Sequence, residues 1–155
     1  MSESNTEPNL ISPYGGDLVD LLVAPEEAAE VRAEANRLSS VQLSERAICD
    51  LEMLAIGAFS PLDRFLGQED HQSVLDDTRL RSGHLFPIPV TLPVEPGAHI
   101  RPGRDIALRN PQNELLAVMA IEEAYPWDLD EVAGKAFGTT DPRHPLVAEM
   151  HRWGA

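Results

Sequence analysis

The spacing of apolar residues along the chain first predicts a run of helices. Between glutamates, Ala28, Val31, Ala35 and Leu38 recur every three or four residues. This spacing places them on one face of a helix, so the pattern predicts a surface helix over residues 25–38. The proline that opens this stretch suits the first turn of a helix, where its missing N–H costs nothing.

A stronger helical pattern runs from Ser44 to Ile56, where apolar residues line one face. Ser44 suits the N-cap, because its hydroxyl can accept a hydrogen bond from the first turn. Gly57 suits the C-terminal end, because glycine adopts a positive φ without strain. A shorter helix is predicted from Asp70 to Asp76.

Strands are predicted in the second half of the chain. Residues 85–94 are apolar and β-branched, but three prolines remove backbone donors, so an edge or bulged strand is expected. Two cleaner strands, at 105–109 and 115–124, flank proline and asparagine residues and predict a β-hairpin. A helix capped by Asp128 or Asp130 is expected to follow. The order of elements favours the α+β class with a small, closed or strongly curved sheet.

Composition narrows the classes of partner. The 155 residues fit one domain and carry 12 Lys and Arg against 26 Asp and Glu, a net charge of −14. Such a field repels phosphates, so neither nucleic acid nor an anionic membrane surface is an expected partner. The single cysteine, Cys49, cannot form an intramolecular disulfide, and no apolar run is long enough to span a bilayer. A cytoplasmic protein is expected.

The residue types that carry chemistry do not form a recognisable set. The histidines lack metal-binding spacing, and neither a phosphate-binding loop nor a hydrolase nucleophile motif is present. Gly15 and Gly16 predict a turn in an extended arm over residues 10–19. We therefore expect no catalytic, cofactor-binding or metal-binding residue in this chain.

Four motifs in the chain occur in one order. They are PYGGDLV at 13–19, SERAICDLEMLAIG with AFSPLDRFL at 44–66, TRL with a later FPIPV at 78–90, and FGTTDPRHP at 137–145. Together they resemble the N-terminal domain of ATP sulfurylases. In that family the matching positions often hold histidine at Tyr14, glycine at Arg64 and methionine at Thr78, so loop geometry there is expected to differ.

The resemblance implies a PUA-like fold, a small pseudo-barrel with flanking helices. It implies a family reaction in which ATP and sulfate give adenosine 5′-phosphosulfate and pyrophosphate, with ATP and Mg as the full-length enzyme's cofactors. In the family, the binding residues lie in a second domain, so this chain is expected to be inactive alone. Residues 1–9 are expected to be a disordered tail, 10–145 the domain, and 146–155 the start of a connection to a catalytic domain.

The expected partner is that catalytic domain, in cis or in trans, and a homo-oligomer is possible. The candidate interface lies at the end of the chain and consists of Asp141, Arg143, His144, Met150 and Trp153. An apolar patch that includes Leu146 is expected there if a second domain docks. A free-standing binding or regulatory module is the alternative, with RNA binding disfavoured by the charge.

Overall fold

The computed structural model describes residues 10–95 and 100–152. Within them the chain forms five helices and three strands. In chain order these are α1 (Ala28–Ala35), β1 (Ser40–Gln42), α2 (Glu45–Ala55), α3 (Gln68–Asp77), β2 (Arg104–Arg109), β3 (Leu115–Ile121), α4 (Leu129–Phe137) and α5 (Pro145–Met150). The predicted α+β class is confirmed.

The three strands form one sheet in the order β1-β2-β3. β2 and β3 are antiparallel and form the predicted hairpin, with Asn110 and Asn113 joined by a backbone hydrogen bond in its turn. β1 pairs parallel to β2 and was not predicted, because three residues are too few to show a strand periodicity. The described strands do not close into a barrel, so the open sheet is the form that is found.

Helix α2 forms as its sequence predicts. The Ser44 hydroxyl accepts a hydrogen bond from the Ala47 N–H, and Gly57 has a φ of +76° beyond the C-terminal end. The Ser44 hydroxyl pairs an N–H that the first turn of the helix leaves without a partner. The positive φ of Gly57 lets the chain turn away after the last turn. The buried face of α2 packs on the inner face of the hairpin, where Ile106 and Leu108 are buried.

Two helices have bounds that differ from the prediction. α1 begins only at Ala28, because residues 25–27 form a turn, and it ends at Ala35. There Arg37 and Leu38 donate to carbonyls three residues earlier, which tightens the last turn. α3 is longer than predicted, since Glu123 accepts a hydrogen bond from the Gln68 N–H at its start.

The predicted strand over residues 85–94 is wrong. Leu85 makes one isolated bridge with Arg79, and the remaining residues form neither a strand nor a helix. Their prolines cannot donate to a ladder, so the apolar pattern reflects burial rather than pairing. Val90 shows this, because it is buried and its carbonyl accepts a hydrogen bond from Leu66.

β3 is also shorter than predicted. The strand ends at Ile121, whereas the apolar pattern predicted Ala124. Glu122 and Glu123 turn away to bond Arg64 and the start of α3. Two carboxylates with partners outside the sheet therefore end the strand.

The core consists of three clusters. The first joins α2, α3 and the loops between them, where Leu62 is buried and Phe59 and Phe65 are partly buried. The second lies between α2 and the hairpin. The third holds α3, α4 and α5 together through Leu75, Val132, Ala133, Val147 and Met150.

Candidate interdomain surface

We call residues 137–150 the closing segment; it begins with a compact turn. Helix α4 ends in front of Gly138, which has a φ of +70°. The Thr139 hydroxyl then accepts a hydrogen bond from the Asp141 N–H. Asp141 in turn accepts bonds from the backbone N–H and the guanidinium of Arg143. Side-chain and backbone bonds between neighbouring residues thus fix the turn locally.

The Asp141–Arg143 ion pair is a surface feature. Arg143 is almost fully exposed, and its hydrogen bonds lower the pKa of the Asp141 carboxyl. The same contact raises the pKa of Arg143. Exposed pairs of this kind contribute little to stability, because water screens them. Both side chains therefore remain accessible to a docking partner.

His144 joins the turn to α5. Its ring stacks on Phe137 with a centroid distance of 5.5 Å and an interplanar angle of 19°. Its carbonyl accepts a hydrogen bond from the Ala148 N–H, which starts the helix. Nδ1 is buried and has no hydrogen-bond partner among residues 10–95 and 100–152.

The remaining candidate residues are placed differently. Met150 is only 1% exposed and packs against α4 inside the third core cluster. Leu146, on the same helix, is 44% exposed. Trp153 lies outside the described residues. The structure thus brings Asp141, Arg143 and His144 together at the surface, with Met150 in the interior of the same segment.

The sequence did not single out a second group of exposed apolar side chains, which is the largest among the described residues and lies at the other end of the chain. We call residues 10–23 the N-terminal arm. Seven of its large apolar residues are exposed, from Leu21 at 45% to Ile11 at 94%; they are Leu10, Ile11, Tyr14, Leu18, Leu21, Leu22 and Val23. Clustered exposed apolar surface of this kind is typical of an interaction site. In the sequence this surface corresponds to the apolar runs LI at 10–11 and LLV at 21–23, which have neither helical nor strand spacing.

The arm is held to the domain by backbone contacts. The Val19 N–H donates to the Ser60 hydroxyl, and the Leu21 N–H donates to the carbonyl of Ala55. A Cβ on Gly57 would lie 2.1 Å from the Val19 carbonyl oxygen, so only glycine allows this approach. A Cβ on Gly15 would lie 2.7 Å from Pro61. The motif at 13–19 therefore packs on the motif that follows α2.

A groove with a volume of about 800 Å³ lies beside the arm. Leu21, Leu22 and Val23 line it, together with β3 and the residues that follow that strand. Its charged lining side chains are mostly acidic; they are Glu52, Asp63, Arg64, Glu122 and Glu123. The one arginine is hydrogen-bonded to Asp63 and Glu122, and these contacts raise its pKa above the ordinary arginine value.

His71 is a buried titratable residue at the edge of this groove. It is 5% exposed, and burial lowers its pKa, an effect that the charge of Glu131 opposes. Its ring contacts Tyr125, whose hydroxyl donates to the Leu66 carbonyl. Burial, with a smaller contribution from Glu123, raises the pKa of that tyrosine. The pair is therefore uncharged at neutral pH and serves packing.

A metal ion needs several ligand side chains brought close together. Within residues 10–95 and 100–152, no three His, Cys, Asp or Glu side chains are placed to bind one. No helix in those ranges is long and apolar enough to cross a membrane.

Comparison with known proteins identifies the fold. A sequence profile described as a PUA-like domain matches residues 11–155. The chain belongs to the PUA-like domain family. This profile covers the N-terminal arm, the sheet and the closing segment as one unit.

The relatives of this PUA-like domain are sulfate adenylyltransferases, the enzymes also called ATP sulfurylases. One from Synechococcus sp. is 42% identical over 94% of this chain, and one from Symbiobacterium thermophilum is 43% identical over 93%. The chain spans about 37% of the length of each. The similarity predicted from the four motifs is confirmed, and it corresponds to the N-terminal region of these relatives.

A solved structure has the same fold. A chain described as a hexameric APS kinase from Thiobacillus denitrificans superposes with a TM-score of 0.65 at 38% identity. The match covers 72% of this chain and 23% of that one. This PUA-like domain therefore resembles a minor part of a larger protein in that case too.

Two positions where this PUA-like domain departs from the family motifs make contacts of their own. The Tyr14 hydroxyl donates to the Leu85 carbonyl, and its ring packs edge-on against His84. Arg64 connects Asp63 to Glu122. These contacts link the arm and the loops to neighbouring segments without changing the fold.

A third departure is conformational. Thr78 ends α3 with a φ of +54°, in the left-handed region that a β-branched residue rarely adopts. The Thr78 N–H donates to the Val74 carbonyl, and the Thr78 carbonyl accepts a hydrogen bond from the Phe86 N–H. These backbone bonds hold the residue in place.

Proposed function

We propose that this PUA-like domain is the supporting N-terminal part of a sulfate adenylyltransferase. In this role it binds and positions a catalytic region and does not itself transfer the adenylyl group. The reaction proposed for the complete enzyme converts ATP and sulfate into adenosine 5′-phosphosulfate and pyrophosphate. The observation that carries the proposal is a match over nearly the whole chain to about 37% of each relative.

The side chains of the domain support a role in contact. Adenylyl transfer needs several cationic and hydrogen-bonding groups that converge on a triphosphate. The chain has 12 Lys and Arg in total. Within the described residues, six of them form ion pairs with acidic neighbours: Arg46, Arg64, Arg81, Lys135, Arg143 and Arg152. A catalytic region supplied by the rest of the enzyme is consistent with this distribution of charge.

We propose two contact regions for that catalytic region. One consists of Asp141, Arg143 and His144 in the closing segment, with Leu146 exposed beside them. The other is the N-terminal arm, whose exposed apolar residues lose contact with water only when a partner covers them. Burial of the arm would contribute stabilisation of about 25 cal/mol for each Å² of apolar surface covered.

A chimera tests this proposal. The matched N-terminal region of the Synechococcus sp. relative is replaced by this chain, and sulfate-dependent pyrophosphate release from ATP is measured. We expect activity from the chimera and none from the isolated chain. Release of pyrophosphate by the isolated chain would contradict the proposal, and so would an inactive chimera whose catalytic region is folded.

Paired arm variants locate the contact. Leu18→Asp with Leu22→Asp places charges on the arm, whereas Leu85→Asp places one on an exposed residue outside it. We expect the arm variant to lower the melting temperature and activity of the chimera, with little change in the isolated chain. Equal effects of the two variants on the chimera would argue against the arm as the contact.

Assembly into an oligomer is a second proposal, favoured by one observation. The structural relative with a TM-score of 0.65 is described as hexameric. We propose that this domain also belongs to an oligomeric enzyme. Sedimentation velocity of the active chimera checks it, and an active monomer would exclude it. An isolated chain that bound a small molecule tightly but no catalytic region would instead favour a free-standing module.

A further inference from the structure

Among residues 10–95 and 100–152, no strand pairs with the outer edge of β3. The Ala107 N–H donates to the Ser39 carbonyl next to β1, so the backbone of Ala107 points away from β3. Ala107 lies opposite Val118, and Asp105 lies opposite Ala120. Because backbone groups alternate sides along a strand, the N–H and C=O groups of Val118 and Ala120 point outward.

No described residue bonds these four groups. The hydrogen bonds among residues 10–95 and 100–152 outside the sheet ladder include none to the backbone of Val118 or Ala120. The sequence of the strand, LLAVMAI, contains neither charge nor proline. Natural edge strands often carry a charge, a proline or a covering segment that prevents further pairing. This edge lacks the first two.

The groove of about 800 Å³ follows this strand. Leu116 through Ile121 line it, and so do Leu21, Leu22 and Val23 of the arm. The groove thus offers hydrogen-bonding groups along β3 and apolar side chains from the arm. An extended peptide needs both, because main-chain bonds give affinity and pockets accept its alternate side chains.

The charge of the lining selects the peptide. Among the described side chains that line the groove, Glu52, Asp63, Glu122 and Glu123 are acidic and Arg64 is basic. Arg64 is already hydrogen-bonded to Asp63 and Glu122. A second copy of this chain, with a net charge of −14, would bring more negative charge. Lysine and arginine side chains would be attracted instead.

We propose that this groove binds an extended, cationic segment of a partner protein, which pairs with β3 as an additional strand. The segment alternates apolar residues, which enter the groove, with lysine or arginine, which face the acidic side chains. Two properties of the site set its specificity: strand pairing requires an extended backbone with free N–H groups, and the rim requires positive charge.

Fluorescence anisotropy tests the proposal with two short labelled peptides. One alternates lysine and valine; the other has the same lysines but proline in place of every second valine. We expect the first peptide to bind at least roughly tenfold more tightly, since proline cannot pair with a strand. Equal binding of both peptides would show attraction by net charge alone and would overturn the proposal.

Two variants locate the pairing. Val118→Pro removes an outward N–H that takes no part in the β2–β3 ladder, and Val118→Thr keeps that N–H in a β-branched residue. We expect Val118→Pro to bind the lysine-valine peptide roughly tenfold more weakly and Val118→Thr to bind it like the wild type.

A measurement on the unmodified chain removes any dependence on the folding of the variants. Amide exchange at Val118 and Ala120 is followed by NMR with and without the lysine-valine peptide. We expect slower exchange at both amides, because their N–H groups would donate hydrogen bonds to the peptide carbonyls. Unchanged exchange under saturating peptide would overturn the proposal. The assay contains neither ATP nor sulfate, so its outcome is independent of the proposed function.

Discussion

The N-terminal arm and the closing segment lie near opposite ends of the chain and bury their apolar residues in opposite ways. The closing segment turns Val147 and Met150 into the third core cluster and leaves its charged turn outside. The arm is held by backbone contacts at Val19 and Leu21 and leaves its apolar side chains in water. Sequence alone suggested an apolar interface at the end of the chain. Among the described residues, more large apolar side chains are exposed at its beginning.

This contrast has a physical cause. α5 has two helices beside it, so Val147 and Met150 pack with residues of α3 and α4. The arm forms neither a helix nor a strand, and its backbone is fixed to the domain at Val19 and Leu21. Its exposed apolar side chains remain available to a partner.

The largest expected effect tests the interior of the closing segment. Met150→Ala should reduce the free energy of unfolding by about 2 to 4 kcal/mol, because it removes buried contacts and leaves a cavity. Leu146→Ala, on the same helix but exposed, should change it by less than about 1 kcal/mol. Urea unfolding of both variants measures the difference. Equal values would mean that α5 does not pack as described.

The anchor of the arm gives the next largest effect. Gly57→Ala should cost about 2 kcal/mol, because the new Cβ would meet the Val19 carbonyl and the φ of +76° disfavours alanine. Gly134→Ala, in open space within α4, should instead stabilise the domain by about 0.5 to 1 kcal/mol. Thermal unfolding of the two variants gives the comparison. A neutral Gly57→Ala would show that the arm does not lie against α2.

The free energy of unfolding should depend on pH through His71, which lies in α3, a helix that packs against the closing segment. Its folded pKa lies below the unfolded value of 6.5, since burial disfavours the charged ring. The unfolded chain therefore binds the proton first. The contribution of His71 to the free energy of unfolding is therefore fully present above about pH 6.5. As the pH drops below that value, the free energy of unfolding decreases by up to about 1.4 kcal/mol per pH unit, until the folded pKa is reached.

His71→Gln provides the control for this prediction, because glutamine does not titrate. Urea unfolding between pH 7.5 and pH 5, a range of about 2.5 units around the ordinary histidine pKa, should show a steeper loss for the wild type. Parallel pH profiles would mean that His71 titrates alike in both states. The difference between the two pH profiles arises in α3, so the contacts of the arm should not change.

The smallest effects should come from the exposed side of the arm. Ile11→Ser and Leu22→Ser should each change the free energy of unfolding of the isolated chain by less than about 0.5 kcal/mol, since both side chains are mostly in water. The same substitutions should lower the melting temperature and the activity of the chimera that contains the catalytic region. A large loss in the isolated chain would show that the arm belongs to the core and not to an interface.

Much of the fold could be predicted where local signals agree. The cap at Ser44, the glycine after α2 and the turn between β2 and β3 are set by neighbours in the sequence. Residues 85–94 could not be predicted in this way. Their apolar residues are buried, but their prolines prevent a strand, and the periodicity does not distinguish the two.

The sequence by itself determined the α+β class, the family and the positions of α2, the hairpin and α4, because helix caps, turn residues and apolar periodicity are local properties. Only the tertiary structure decided that Met150 points inward, that the arm exposes its apolar residues and that no described residue pairs with the outer edge of β3. These depend on which segments lie beside one another. A residue's exposure is set by its neighbours in space, and the spacing of its own sequence does not contain them.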